Sequence, residues 1–139
     1  MVSKDIRWIQ RFQNFKSAYS KFNEALKCVG DEPENDLYQM ALIKAFEFTF
    51  ELGWKTIKDF LIYSGIKNVS LPREVIKQGF HYNIIEDGNK WIAMMQDRNL
   101  MAHTYKDENA KKAVENITLL YKESLTQVYE FFKNKSQER

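Results

Sequence analysis

The sequence contains few residues that cross-link or interrupt a chain: one cysteine, two prolines and five glycines among 139 residues. A lone Cys28 excludes a disulfide framework and every zinc or iron–sulfur site that is built from several cysteines. The low glycine and proline content, with 44% hydrophobic residues, also excludes collagen, low-complexity linkers and disorder as the main state. We therefore expect a compact globular protein, and the single cysteine favours a reducing cytoplasm.

Long apolar runs and an excess of one charge are also missing. No segment approaches about 18 consecutive apolar residues, and residues 1–15 mix charged with aromatic residues, which predicts neither a membrane span nor a secretory signal. Because 21 Lys and Arg face 19 Asp and Glu, the net charge is only +2, and any contact with RNA must be local. A chain of this length is expected to form one domain over residues 1–139.

The first segment has the clearest periodicity. Its apolar residues recur at alternating spacings of four and three, as in a heptad seam. This pattern predicts a long helix, ending near Gly30, that packs nearly parallel to its neighbours in a bundle. The seam consists of Trp8, Phe12, Phe15, Tyr19, Phe22, Leu26 and Val29.

Four further helices are predicted from apolar content and from residues that begin or end helices. A long helix covers about residues 36–63, and a short one covers about residues 72–80, with a proline in its first turn. Asp87 begins a second short helix as a turn or N-cap, and a last long helix runs over about residues 107–132. Since no segment alternates as a strand would, we predict an all-α, up-and-down four-helix-type bundle with three long and two short helices. The seam of the last helix consists of Ala110, Val114, Ile117, Tyr121, Leu125, Val128 and Phe132.

Residues 97–107, DRNLMAHTYKD, depart from simple helical patterning. At about 100° per residue, Arg98 and His103 would point roughly 140° apart in an unbroken helix, whereas Arg98 and Tyr105 would share a face. For Arg98 and His103 to converge, the helix must loosen near Ala102, or two copies must pool residues across a two-fold axis. Asp107, as the cap of the following helix, independently favours a break.

An arginine and a histidine that converge suit the cleavage of a phosphodiester. Guanidinium can hold two phosphate oxygens, and imidazole titrates near neutral pH and can transfer the proton. RNA cleavage of this kind needs no metal, because the ribose 2′-OH is the nucleophile. The alternative, which the residue types alone favour, is that Arg98 and His103 only bond the last carbonyls of a helix or a surface glutamate.

No pattern predicts a metal, a cofactor or a nucleotidyltransferase active site. The second histidine, His81, has no partner at metal-ligand spacing and is interpreted as a surface or capping residue. A glycine-rich phosphate loop, a Gly-x-Ser-x-Gly elbow and a paired-aspartate motif are all missing from the sequence.

Four charged residues follow one another at four-residue spacing in the second predicted helix: Glu47, Glu51, Lys55 and Asp59. Two interpretations remain open. The residues form a solvated stripe, in which Glu51 and Lys55 pair for about 0.2 to 0.5 kcal/mol. Alternatively, the line forms a polar wall that faces the Arg98–His103 site, with Glu47 and Glu51 as its candidate site residues.

Three motifs, in order along the chain, carry a family resemblance. They are FEFTFELGWKT at residues 46–56, PREVI at residues 72–76 and DRNLMAHTY at residues 97–105. Together they resemble the nucleotidyltransferase substrate-binding proteins of the HEPN superfamily, over nearly the whole chain. That family implies a small helical bundle, generally homodimeric, that is encoded beside a minimal nucleotidyltransferase.

The resemblance also implies roles for individual residues. Arg98 and His103 match the Arg-x4-His ribonuclease motif of the superfamily, and Asn99 matches the polar residue that usually follows the arginine. Tyr105 matches the tyrosine that, in related toxin–antitoxin pairs, the partner nucleotidyltransferase modifies with AMP to silence the nuclease.

Outside that motif, Glu47 and Glu51 match acidic positions of the family's second helix. Two positions depart from the family pattern. Leu71 stands where a capping serine is frequent, so we expect Ser70 to take over the cap, and Gly53 stands where alanine is common.

Three functions follow from these observations. In the first, the chain is a substrate-binding subunit that presents a nucleotide or RNA to a separately encoded nucleotidyltransferase, in a toxin–antitoxin pair. In the second, it is an active metal-independent ribonuclease toxin that adenylylation of Tyr105 silences. In the third, it is a purely structural dimerisation bundle.

Overall fold

A computed structural model describes residues 2–101 and 107–138, and within these ranges the chain is helical with no strand. The predicted all-α bundle is confirmed. The helices are α1 (Val2–Asp31), α2 (Asp36–Tyr63), α3 (Pro72–His81), α4 (Gly88–Met101), α5 (Asp107–Asn116) and α6 (Lys122–Gln137), with a π-helical turn at Ile117–Tyr121 between the last two. None of these described helices has the length and apolar content that crossing a bilayer requires.

The helix ends follow from short polar side chains and one glycine. The side chain of Asn35 accepts a hydrogen bond from the backbone N–H of Tyr38 at 3.1 Å, which caps α2. Asp87 accepts from the N–H of Lys90 at 2.9 Å and so caps α4, as predicted. Gly65, just past α2, has φ +92, a conformation that costs glycine little.

The start of α3 differs from its prediction. Ser70 does not cap the helix with its hydroxyl. Instead, the Glu74 carboxylate accepts from the N–H of Leu71 at 3.1 Å and from that of Ser70 at 3.3 Å. These backbone hydrogen bonds favour the charged carboxylate and lower the pKa of Glu74. Pro72 in the first turn lacks an N–H, so the helix begins with one donor fewer to satisfy.

The two long apolar seams meet in the core, with small corrections. In the α1 seam Tyr19 and Leu26 are only half-buried, because a 3.6-residue helix drifts by about 20° per heptad. Tyr19 nevertheless stacks on Tyr129, with ring centroids 4.1 Å apart, and its hydroxyl lies 2.8 Å from that of Thr126. The fully buried residues of both seams are Trp8, Phe12, Phe15, Phe22, Val29, Ile117, Tyr121, Leu125, Val128 and Phe132.

A close approach between helices explains the glycine at position 53. A Cβ atom there would lie 3.1 Å from Cη2 of Trp91 and 3.4 Å from the ring of Phe15. Both aromatic side chains have no exposed surface. Gly53 therefore lets α2 pack directly against the faces of two large rings.

Asp59 does not belong to the polar stripe on α2. Its carboxylate is buried and lies 3.0 Å from Nε of Arg11 on α1. Three steps of four residues exceed the helical repeat by about 0.4 residue each, so Asp59 has rotated roughly 120° away from Glu47. Both interpretations of the stripe were thus wrong for this residue. His81 lies exposed at the end of α3, as interpreted, and Cys28 is half-buried.

Candidate functional site

The last turn of α4 carries the two residues of the Arg-x4-His motif that the structure describes. Arg98 is half-buried and Asn99 is exposed. His103 and Tyr105, together with the predicted loosening near Ala102, lie outside the described residues. The geometry of the site is therefore built from Arg98 and its surroundings.

Arg98 is held against α2 by one charged and one aromatic contact. Its Nη1 lies 3.2 Å from Oε1 of Glu51, and its guanidinium lies over the ring of Phe50, 5.6 Å from the ring centroid. An arginine above an aromatic face gains a cation–π attraction and keeps its orientation. The Glu51 side chain, one helical turn after Glu47, faces Arg98. This geometry agrees with the polar-wall interpretation for Glu51.

Glu51 contacts a second cation on its own helix. Nζ of Lys55 lies 3.2 Å from Oε2 of Glu51, so the two carboxylate oxygens face two different cations. Glu47 lies in another environment, since it pairs with Lys44 at 3.6 Å on the same helix. Within the described part of the chain, no ion pair joins Glu47 to Arg98.

Asp97, the residue before Arg98, is held by a different segment, the end of α5 and the π turn that follows it. The hydroxyl of Tyr121 donates a hydrogen bond to Oδ2 of Asp97, and the amide of Asn116 donates to the same oxygen at 3.4 Å. Tyr121 is buried and stacks on Phe46, with centroids 5.6 Å apart. Burial, and then the hydrogen bond and charge of Asp97, raise the pKa of Tyr121, because each disfavours the phenolate.

The π turn places Tyr121 in this position. The N–H of Lys122 donates to the carbonyl of Ile117, five residues earlier, which makes the turn wider than an α-helical one. A wider turn keeps Ile117, Tyr121 and Leu125 on one buried face although they are spaced by four and four. The sequence shows this repeated spacing of four, but the pattern predicts only an ordinary helix there. It gives no indication of the contact between Asp97 and Tyr121.

The assembled cluster consists of two cations, Arg98 and Lys55, and the Glu51 carboxylate that both contact, so it carries one formal positive charge. An arginine can donate a bidentate pair of hydrogen bonds to a carboxylate or to phosphate oxygens. Among residues 2–101 and 107–138, no group of three or more His, Cys, Asp or Glu side chains is arranged to hold a metal ion.

Comparison with known families shows what the chain is related to. Residues 10–134 match the family described as nucleotidyltransferase substrate binding protein like. The chain belongs to this family. The match includes α2 and α4, so Glu51, Lys55 and Arg98 all lie within the family's domain.

The chain is also similar to a named relative. It is 31% identical over 72 residues to a protein of Haemophilus influenzae called probable ribonuclease HepT. The aligned segment covers 49% of this chain and 49% of the relative, so the chain spans about half the length of the relative that it matches.

Proposed function

We propose that this protein is the substrate-binding subunit of a separately encoded minimal nucleotidyltransferase. The family match over residues 10–134 carries the proposal. The sequence adds a complementary point, because it has none of the loops or aspartate pairs with which a nucleotidyltransferase binds nucleotide and magnesium. A transferase reaction would therefore need a second protein, and this chain would hold the group that receives the nucleotide.

A complex between two gene products is the direct test. The chain is co-expressed with the protein of a neighbouring gene that carries a Gly-Ser motif followed by an Asp-x-Asp pair. We expect one peak in size-exclusion chromatography that contains both proteins, and a nucleotidyltransferase from an unrelated pair serves as the control. Two separate peaks at micromolar concentration would contradict the proposal.

The second candidate function is metal-independent cleavage of RNA, in a toxin–antitoxin pair. Two observations favour it: the likeness to a protein named probable ribonuclease, and the half-buried Arg98 that Glu51 and Phe50 hold in place. In this mechanism His103 exchanges a proton with the 2′-OH or the leaving oxygen. Arg98 stabilises the charge on the phosphorane, and Asn99 orients either Arg98 or His103.

Substitution of the motif residues tests the nuclease. His103→Ala should lower the rate of RNA cleavage by about 10² to 10⁴-fold, because general acid–base catalysis contributes that much. Arg98→Lys should also fail to cleave RNA, since lysine keeps the charge but cannot donate a bidentate pair of hydrogen bonds. EDTA should have no effect. Equal cleavage by wild type and His103→Ala would exclude the nuclease and leave the substrate-binding role.

Regulation by the partner follows if both roles are combined. The nucleotidyltransferase, given ATP, would add AMP to the hydroxyl of Tyr105 and so place negative charge close to Arg98 in the chain. Mass spectrometry should detect an adduct of AMP mass on the peptide that contains Tyr105. Undiminished modification of Tyr105→Phe would show that another residue is the acceptor.

A homodimer would supply the second copy of the site. Pooling Arg98 and His103 from two chains would produce an isologous interface. Light scattering should give twice the chain mass of 16.6 kDa. A dimer that binds neither RNA nor a nucleotidyltransferase would leave only the third possibility, a structural bundle.

A further inference from the structure

Two cations from different helices converge on one carboxylate. Arg98 of α4 and Lys55 of α2 each place a nitrogen 3.2 Å from an oxygen of Glu51. The three side chains are 28%, 37% and 31% exposed, respectively, so each keeps part of its surface in contact with solvent. A small anion in solution could therefore reach both cations.

The contact between Arg98 and Glu51 is poorly satisfied. Although Nη1 and Oε1 are 3.2 Å apart, Glu51 Oε1 and Arg98 Nε are both buried and have no hydrogen-bond partner among the described residues. A buried polar atom without a partner is costly, and an ion pair whose side chains are partly solvated contributes little. A ligand with more acceptor oxygens than a carboxylate would satisfy Arg98 better.

We propose that Arg98 and Lys55 form a phosphate-binding site that Glu51 occupies as an internal anion. Phosphate and the Glu51 carboxylate compete for the same two cations. Glu51 therefore weakens ligand binding for as long as its carboxylate contacts Arg98 and Lys55. Lys55 thereby becomes a binding residue that the Arg-x4-His motif does not include. This deepens the proposed function, on which the identity of the phosphate-bearing ligand rests.

The neighbouring pair on α2 shows why the arrangement is specific. Lys44 and Glu47 are also oppositely charged and 3.6 Å apart, but they are three residues apart on one helix. No cation of a second helix joins them within the described residues. Among the described residues, it is at Glu51 that the fold brings an arginine from another helix to a pair that α2 could form alone.

Binding of two phosphate probes at low salt tests this proposal. One is a fluorescein-labelled 2′-O-methyl RNA dodecamer, which cannot be cleaved through a 2′-OH, and the other is ATP, measured by competition. Glu51→Gln should tighten binding of at least one probe by about 2- to 10-fold, since it removes two partly solvated ion pairs that compete with the ligand. Lys55→Met should weaken binding of the same probe by a similar factor. For the RNA, it should also reduce the slope of log affinity against log salt by about 0.7.

A matched pair on α1 provides the controls. Lys21 and Glu24 lie 3.7 Å apart and are 78% and 67% exposed, so Glu24→Gln and Lys21→Met make the same changes of net charge on a different helix. If Glu51→Gln and Glu24→Gln have equal affinities for the probes, the proposal is overturned. It is also overturned if neither wild type nor Glu51→Gln binds either probe. If Glu51→Gln does not fold, Lys55→Met decides, and an affinity equal to that of Lys21→Met overturns the proposal.

The probes also separate this proposal from the proposed function. Tighter probe binding by Glu51→Gln without a nucleotidyltransferase complex would support the phosphate site and contradict the partner role. A stable complex, together with probe binding that Glu51→Gln leaves unchanged, would support the partner role and contradict the phosphate site. A response to ATP alone would indicate a nucleotide ligand, and a response to RNA alone would indicate a polynucleotide.

Discussion

The aromatic core and the end of α4 are held together in different ways. In the core, rings such as Phe12, Phe15 and Phe132 are almost fully buried, and each contacts several neighbours. At the end of α4, Asp97 and Arg98 each have a polar partner from another segment of the chain. Core packing tolerates many arrangements of similar volume, whereas each polar contact depends on a particular atom. Large losses of stability are expected from the core, and changes of binding from the polar end.

The largest effect is expected from Phe15→Ala. Phe15 has no exposed surface and packs against Phe12 and Tyr129, so its removal leaves a cavity. The free energy of unfolding, measured in urea, should fall by about 3 to 5 kcal/mol. Phe48→Ala is the control, because Phe48 is 58% exposed and should change stability by no more than about 0.5 kcal/mol. Similar losses in the two variants would remove the distinction between core and surface.

Tyr121→Phe should have an intermediate effect on stability. It keeps the ring that stacks on Phe46 and removes only the hydroxyl that donates to Asp97. Loss of a hydrogen bond to a charged group should lower the free energy of unfolding by about 1 to 3 kcal/mol. Tyr63→Phe, at a residue that is 41% exposed, is the matched control. If both variants are as stable as wild type, the Asp97–Tyr121 contact contributes nothing.

Alkaline pH should affect the same contact. The pKa of Tyr121 is raised in the folded protein, so above the unfolded value of about 10 the unfolded chain loses a proton that the folded chain retains. Stability from this group is complete below that pH and is lost as pH rises toward the folded pKa. Urea midpoints between about pH 8 and 11 should therefore fall more steeply for wild type than for Tyr121→Phe. Parallel curves would contradict the assignment.

The smallest effect is expected at the start of α3. Backbone hydrogen bonds lower the pKa of Glu74, so its contribution is present above the unfolded value of about 4.3 and is lost as pH falls through the folded one. Glu74→Gln should flatten the acid limb of the stability curve slightly. Glu115→Gln, at an exposed residue of α5, should leave that limb as in wild type. An equal change in both variants would reflect net charge alone.

Sequence patterns predicted those parts of the molecule that depend on neighbours along the chain. The bounds of α2 and the cap at Asp87 follow from short-range rules, and the apolar seam of α1 follows from the helical repeat. A polar wall facing Arg98 is one of two interpretations of the charged line on α2, and the spacing alone could not choose between this wall and a solvated stripe. Asp59 could not be assigned in this way, since nothing in its spacing from Glu51 indicates that Arg11 is its partner.

The sequence by itself determined that this chain is an all-α bundle of its family, because helical periodicity, caps and motifs are local properties. Only the tertiary structure decided which polar side chains of separate segments meet: Asp97 with Tyr121, Asp59 with Arg11, and Arg98 with the Glu51–Lys55 pair. Except for Lys55 and Glu51, these partners come from different helices. Their contacts depend on how the helices rotate and cross, and therefore on the packing of the whole core.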